Sequence, residues 1–258
     1  MEFSITTIQA DLHWENKEAN YELFAEAIQR ASEKSSIIVL PEMFTTGFSM
    51  STENLSEVMD GPSVNWMKAK AEDTEKYLVG SLIIKENNRF FNRLIVASPS
   101  GEINYYNKKH LFSYANENQH YSPGNKELIL NIKGVKIAFF ICYDLRFPVW
   151  CRNLKLKYDI AVYIANWPEN RTNHWITLLK ARAIENQSYV VGVNRIGCDG
   201  NGINYSGDSA VYNYLGAKIS ATEPTKFTVD NISLNINSLR EYRVKFPAHL
   251  DADNFKLS

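Results

Sequence analysis

Val135-Lys136-Ile137-Ala138-Phe139-Phe140-Ile141-Cys142-Tyr143-Asp144-Leu145-Arg146-Phe147-Pro148 is the stretch from which the fold can be read. Its first half, Val135 to Ile141, is apolar and aromatic and reads as a buried strand. A thiol stands where the strand stops, and polar residues with the start of a helix follow. A side chain at such a corner points out of the sheet while its backbone stays fixed. The positive end of the following helix would favour the thiolate. Cys142 is therefore a candidate nucleophile that needs a base and an oxyanion stabiliser from elsewhere in the chain.

Upstream, Lys126 to Ile132 pairs with this strand across Lys133-Gly134. Phe3 to Gln9 reads as a first strand, and Asn16 caps a helix carrying Tyr21, Phe24, Ile28 and Ala31. Ser36 to Leu40 is a buried strand that Pro41 ends, and a long loop runs from Met43 to Asp60. Ser63 is the expected cap of a helix to Lys76. Tyr77 to Lys85 and Arg89 to Ser98 form a hairpin through Glu86-Asn87-Asn88. Glu102 to Tyr106 is a further strand, and a polar loop runs on to Gly124.

Downstream, Trp150 and Leu154 mark the buried face of a short helix after Cys142. Asp159 to Ala165 and Tyr189 to Asn194 are strands, with a helix from Thr172 to Gln187 between them. Gly197 to Gly207 reads as a Gly-rich loop. Strands at Ser209 to Tyr214 and Lys226 to Leu234 follow, then a helix from Asn235 to Tyr242 and a polar tail. Strand–helix–strand units mixed with hairpins imply an α/β fold with mixed sheets covered by helices.

The chain has 258 residues, 45% of them hydrophobic and 12% aromatic, enough for one large core. A formal net charge of -1 gives no general reason to expect nucleic acid or an anionic membrane as partner. The three cysteines, with no CxxC pair, argue against a disulfide framework or a thiolate zinc site. No basic leader followed by an apolar run is visible, so the expectation is a reduced cytoplasmic protein.

Three residues occupy comparable places: Glu42 past the strand ending at Leu40, Lys108 past the strand ending near Tyr106, and Cys142 past Ile141. Strand ends converge in space even when they are distant in sequence. A carboxylate beside a thiol can act as general base, and a lysine can stabilise thiolate and oxyanion alike. Each alone has a bland reading: buried structural thiol, capping carboxylate, solvated amine. Only their combination lifts them.

Leu40-Pro41-Glu42-Met43-Phe44, Tyr106 to Phe112 and Ile141 to Pro148 resemble the three signature segments of the nitrilase superfamily, carbon–nitrogen hydrolases with a Glu-Lys-Cys triad. The resemblance continues through Ala165 to Pro168, Arg182 to Asn186 and Asn194 to Gly197. The segments Asp144 to Asn153 and Asn166 to Pro168 are most similar to bacterial omega-amidases, which act on amides of 2-oxo acids such as 2-oxoglutaramate and 2-oxosuccinamate. The superfamily also contains nitrilases, carbamoylases and amidases for larger amides such as deaminated glutathione.

The resemblance implies Glu42 as base, Cys142 as nucleophile, and Lys108 with the Tyr143 N–H as oxyanion donors. It places Glu117 where a second glutamate positions the lysine. Adjacent side chains on a strand-like run face opposite ways, so Lys108 or Lys109 reaches the pocket, not both; the spacing Lys-x-His-Leu-Phe selects Lys108. For the far carboxylate of such a substrate, Arg171 is the candidate and Arg146 the alternative, with Asp144 as a possible ion-pair partner of Arg146. Phe44, Trp167 and Phe147 are expected to wall the pocket or to belong to the core. Cys151 and Cys198 are expected bystanders, and Asp144 and Arg152 expected braces. A Cys-His hydrolase using His110, His120 or His174 is the competing enzyme class.

The resemblance further implies a four-layer α-β-β-α sandwich formed when two copies dimerise, with contacts through the helices after Cys142 and near Thr172. It implies no metal and no organic cofactor. The hydrolase domain is expected over residues 1–245, with a tail at 246–258.

Overall fold

A computed structural model describes residues 1–255. The strands are β1 (Glu2–Gln9), β2 (Ile37–Val39), β3 (Tyr77–Glu86), β4 (Arg89–Ala97), β5 (Ile103–Asn107), β6 (Ile129–Ile132), β7 (Val135–Ile141), β8 (Ile160–Ala165), β9 (Tyr189–Asn194), β10 (Ile196–Cys198), β11 (Asn204–Ser206), β12 (Ala210–Tyr212) and β13 (Thr228–Asn235). The helices are α1 (Lys17–Ile28), α2 (Thr52–Leu55), α3 (Pro62–Thr74), α4 (Glu117–His120), α5 (Thr172–Glu185) and α6 (Ile236–Lys245).

One sheet has six strands in the order β13-β1-β2-β3-β4-β5, and the other five in the order β12-β9-β8-β7-β6. Both are mixed: β1, β2 and β3 run parallel, as do β7, β8 and β9, while the flanking strands are antiparallel. β2 shows why two sheets stack. Ile37 and Val39 face the core between the sheets, and Ile38 faces the helices α1 and α3 on the other side. A strand buried on both faces reads as an unbroken apolar run, which Ser36 to Leu40 is. On the second sheet, α5 lays Trp175, Leu179 and Ala183 against the strands. Gly192 of β9 permits this approach, since a Cβ there would sit 2.4 Å from Leu179.

Both helix layers and both sheets come from one chain. The four layers therefore need no second copy to complete them, contrary to the expectation that dimerisation forms them.

Several local expectations change. Asn16 caps α1, accepting from Ala19 N at 3.1 Å, but Ser63 does not cap α3. Pro62 takes the first helical position, where its missing N–H costs nothing, and Ser63 Oγ donates to Glu57 Oε1 at 2.6 Å. The Gly-rich segment after Asn194 contains the hairpin β10–β11. Asp199 closes it by accepting from Asn201 N, Ile203 N and Tyr205 Oη.

The helix expected after Cys142 is only a 3-10 turn, Cys142–Arg146, with another at Leu154–Leu156. Pro148 lacks the N–H a longer helix would use. Asn235, expected as the first helical residue, ends β13 and caps α6. Within the expected tail, Ala248–Asp251 forms a 3-10 turn, and residues 256–258 lie outside the described residues.

Candidate active site

The acid, the amine and the thiol meet at one end of the stacked sheets. Glu42 follows β2 through Pro41, and Met43 after it holds the left-handed φ of +44° while its N–H donates to Ser81 Oγ at 2.8 Å. Cys142 itself sits at φ +42°. Such a conformation costs a non-glycine residue about 1–2 kcal/mol and must be held by its surroundings. Asp144 supplies the hold. Its Oδ2 accepts from Ile141 N at 3.0 Å and from Tyr106 Oη at 2.7 Å; its Oδ1 accepts from His110 N at 3.0 Å and lies 2.8 Å from His110 Nδ1. This buried carboxylate thus ties the thiol corner to the lysine segment. It does not pair with Arg146, against the sequence expectation, because its oxygens are already committed.

Lys108 is buried, and its Nζ lies 2.9 Å from Glu42 Oε1 and 3.0 Å from each oxygen of Glu117. Lys109 points the other way, over the Trp150 ring at 5.3 Å. Glu117, which the sequence alone allows to be solvated, is buried on α4 and also accepts from Phe112 N at 2.6 Å. Glu42 Oε2 accepts from Asn166 N at 2.7 Å, and Asn166 Nδ2 donates to the Glu42 carbonyl at 2.6 Å. Asn92 Nδ2 donates to Glu42 Oε1 at 2.7 Å and Glu117 Oε1 at 3.3 Å.

Two buried carboxylates share one ammonium, and this sets the electrostatics. Burial works against the Lys108 charge, but Glu117 and then Glu42 outweigh it and hold the amine above the ordinary lysine range. Burial pushes Glu117 up, and Lys108 pulls it back. Every donor around Glu117 fits its ionised form. Burial and then Glu42 push the Cys142 thiol well above its ordinary value, with Lys108 opposing. The expectation of a thiolate favoured by a helix dipole therefore fails. A five-residue 3-10 turn has little dipole to offer, and the carboxylates surrounding Lys108 disfavour another anion. Burial thus favours the thiol form of Cys142.

In front of Cys142 lies a cavity of about 260 Å³. Lys108, Tyr143, Arg146, Trp167 and Arg171 line it, as expected, and so does Asn166. Tyr143 stands in the first turn, where N–H groups have no partner within the turn. Arg146 stacks on Trp167 at 4.8 Å, with its Nη2 2.9 Å from His174 Nδ1; Arg171 stacks over Phe112 at 5.4 Å and Tyr114 at 5.7 Å. Neither arginine is paired with a carboxylate among the described residues.

Phe44 does not line the cavity. It packs against Phe24 and Trp66 in the layer under α1 and α3, where a Cβ on Gly80 would meet it at 2.7 Å. The turn at Met43 sends Phe44 into the core, and Phe48 takes the expected place, its ring 5.1 Å from Lys108 Nζ. Phe147 stacks on His110 at 3.8 Å and packs against the core. His110 is committed to Asp144 and His174 to Arg146, while His120 is exposed, so the histidines offer no base to the thiol. Tyr205 and Ile203, from the β10–β11 hairpin, complete a wall that sequence reading missed.

Stacked mixed sheets with an acid, an amine and a thiol at their strand ends define an α/β sandwich with a thiol-centred site. The chain belongs to the carbon–nitrogen hydrolase family, whose sequence model matches residues 4–243. It is 45% identical over 253 residues, 98% of each chain, to the omega-amidase YafV of Escherichia coli (strain K12). It is 35% identical over 203 residues, 76% of this chain and 78% of the relative, to the 2-oxoglutaramate amidase of Bacillus subtilis (strain 168). A crystal structure of a CN-hydrolase superfamily protein from Xanthomonas campestris, with an arsenic adduct in its active site, superposes with a TM-score of 0.97 at 38% identity, covering 100% of both chains. Among the described residues no helix is long and apolar enough to cross a membrane.

Proposed function

We propose that this protein is an omega-amidase that hydrolyses the terminal amide of small 2-oxo acids such as 2-oxoglutaramate and 2-oxosuccinamate, through a thioester on Cys142. The observation that carries this reading is the cavity itself, which sets a buried thiol beside Lys108 and two arginines that pair with no carboxylate among the described residues. The relatives named omega-amidase and 2-oxoglutaramate amidase support the substrate class.

Glu42 takes the thiol proton as Sγ attacks the amide carbonyl carbon. Lys108 Nζ and the Tyr143 N–H hold the oxyanion. Collapse breaks the C–N bond, and Glu42 returns the proton to the leaving nitrogen, releasing ammonia. Water then enters, loses a proton to Glu42 and attacks the thioester; the acid leaves and the thiol is restored. Glu117 keeps Lys108 in place throughout.

At the far end of the substrate, Arg171 binds the carboxylate and Arg146 flanks it, with Trp167 as a wall. Replacing Arg171 by alanine is expected to lower kcat/KM for carboxylate-bearing amides by about 10–100-fold, the worth of a charge-assisted hydrogen bond, and to spare neutral amides. An ammonia-release screen over omega-amides, neutral amides and nitriles, repeated with Arg171→Ala, measures this. Preference for nitriles or neutral amides would reject the substrate class, and equal loss on all amides would reject the arginine's role.

The working domain spans residues 1–245 with a tail beyond it, in a cytoplasmic homodimer. The face around the turn after Cys142 and α5 suits that contact, since Val149 is 51% and Ile184 48% exposed there.

A further inference from the structure

Asn92 stands in the middle of β4, paired with Ile83 of β3, with its side chain buried among the acid groups. Asparagine is depleted from strands, and nothing in the pattern of β4 asks for one. Its main-chain carbonyl accepts from Lys108 N at 3.0 Å. Its Nδ2 donates to Glu42 Oε1 at 2.7 Å and Glu117 Oε1 at 3.3 Å, while its Oδ1 is buried without a partner among the described residues. The amide orientation follows from charge: reversed, its oxygen would face two carboxylates. A side chain that leaves one polar atom unpaired in the interior is poorly suited to a purely structural task. This one spends both N–H bonds on the two acids.

We infer that Asn92 is a positioning residue, whose side-chain amide ties the Glu42 carboxylate to that of Glu117 and keeps Glu42 aimed as the base. The inference rests on the reading of Glu42 as general base. Around Glu42 the charged and titratable groups are Lys108 at the end of β5, Glu117 on α4 and Cys142 after β7, with Tyr121 beside Glu117. Lys108 is shared between both acids, so it cannot by itself fix which oxygen of Glu42 turns to the thiol. Asn92 and Asn166 N hold opposite oxygens of Glu42 and fix its plane. A donor to a carboxylate favours the ionised form, so removing it makes the group harder to ionise.

The test is the pH dependence of kcat/KM on the omega-amide, for Asn92→Leu, which keeps the shape without the donor, and for Asn92→Ala. The acid limb is expected to move to higher pH by about one to two units, the effect of one hydrogen bond to a charged group. kcat at the optimum is expected to fall by about tenfold or more while KM changes little. A purely structural residue would lower the amount of active enzyme and leave the profile in place. An acid limb at the unaltered position in a folded variant overturns the inference. So does failure of both variants to fold, because Asn92 would then serve the fold. Glu42→Gln runs alongside. If it retains turnover, the base assignment itself is wrong; if it is inactive and the Asn92 profiles are unmoved, only the inference about Asn92 fails.

Discussion

Lys108→Ala is expected to abolish turnover and also to be among the most destabilising single changes in the chain. The ammonium lies between Glu42 and Glu117, and all three side chains are 0–1% exposed. Removing it leaves two buried carboxylates facing each other with no cation. Breaking a buried pair in this way costs about 3–5 kcal/mol. For a chain of this size that lowers Tm by roughly 6–20 °C.

The loss has a definite pH dependence. The folded-state value of Lys108 is raised, so its contribution is full below the ordinary lysine pKa of about 10.4 and is lost only as pH rises through the folded value. In the variant, Glu117 loses the cation that opposed its burial, and its folded value climbs further. The penalty is smallest in acid, where Glu117 binds a proton, and grows as pH rises through its raised folded value. Melting curves at several pH values check this. Lys108→Ala/Glu117→Gln should recover part of the stability and none of the turnover, and Lys109→Ala should retain both. A variant as stable at neutral pH as in acid would contradict the charge arrangement.

Cys142→Ala is expected to lose on the order of 10⁴-fold or more in turnover, since the thioester then has no thiol to form on. Glu42→Gln is expected to lose about 10²–10⁴-fold, the usual worth of a general base. The residual rate of Glu42→Gln carries further information. Burial and then Glu42 hold the thiol above its ordinary value. With Glu42 neutralised, burial still acts, so the remaining activity must wait for the thiol to ionise unaided. It should rise about tenfold per pH unit, with no plateau below the ordinary cysteine value of about 8.5. A plateau near neutrality would mean a thiolate formed without Glu42.

The layers and the thiol's corner were legible because both depend on local pattern. The apolar runs Ile37-Ile38-Val39 and Val135 to Ile141 announce strands whatever surrounds them. Glu42, Lys108 and Cys142 each stand just past such a strand. Glu117 came from resemblance alone, since a polar loop gives no sign that its glutamate is buried. Asn92 and Asn166 escaped because their bonds to Glu42 cross 50 and 124 residues of chain. Whether Phe44 walls the cavity or joins the core was open in sequence, because the left-handed backbone at Met43 decides which aromatic faces the cavity. The helix after Cys142 failed because Asp144, a reasonable helix-start residue by type, instead binds Ile141 N, Tyr106 and His110. The Arg146–Asp144 pair failed for the same reason.

The central claim is a thioester on Cys142. Acid-quenched enzyme, sampled during turnover of 2-oxoglutaramate and digested for mass spectrometry, tests it most directly. The expected result is a 2-oxoglutaryl group on the peptide containing Cys142, absent from Cys142→Ala, which also releases no ammonia. An acyl group on another residue, or ammonia release by Cys142→Ala, would contradict it.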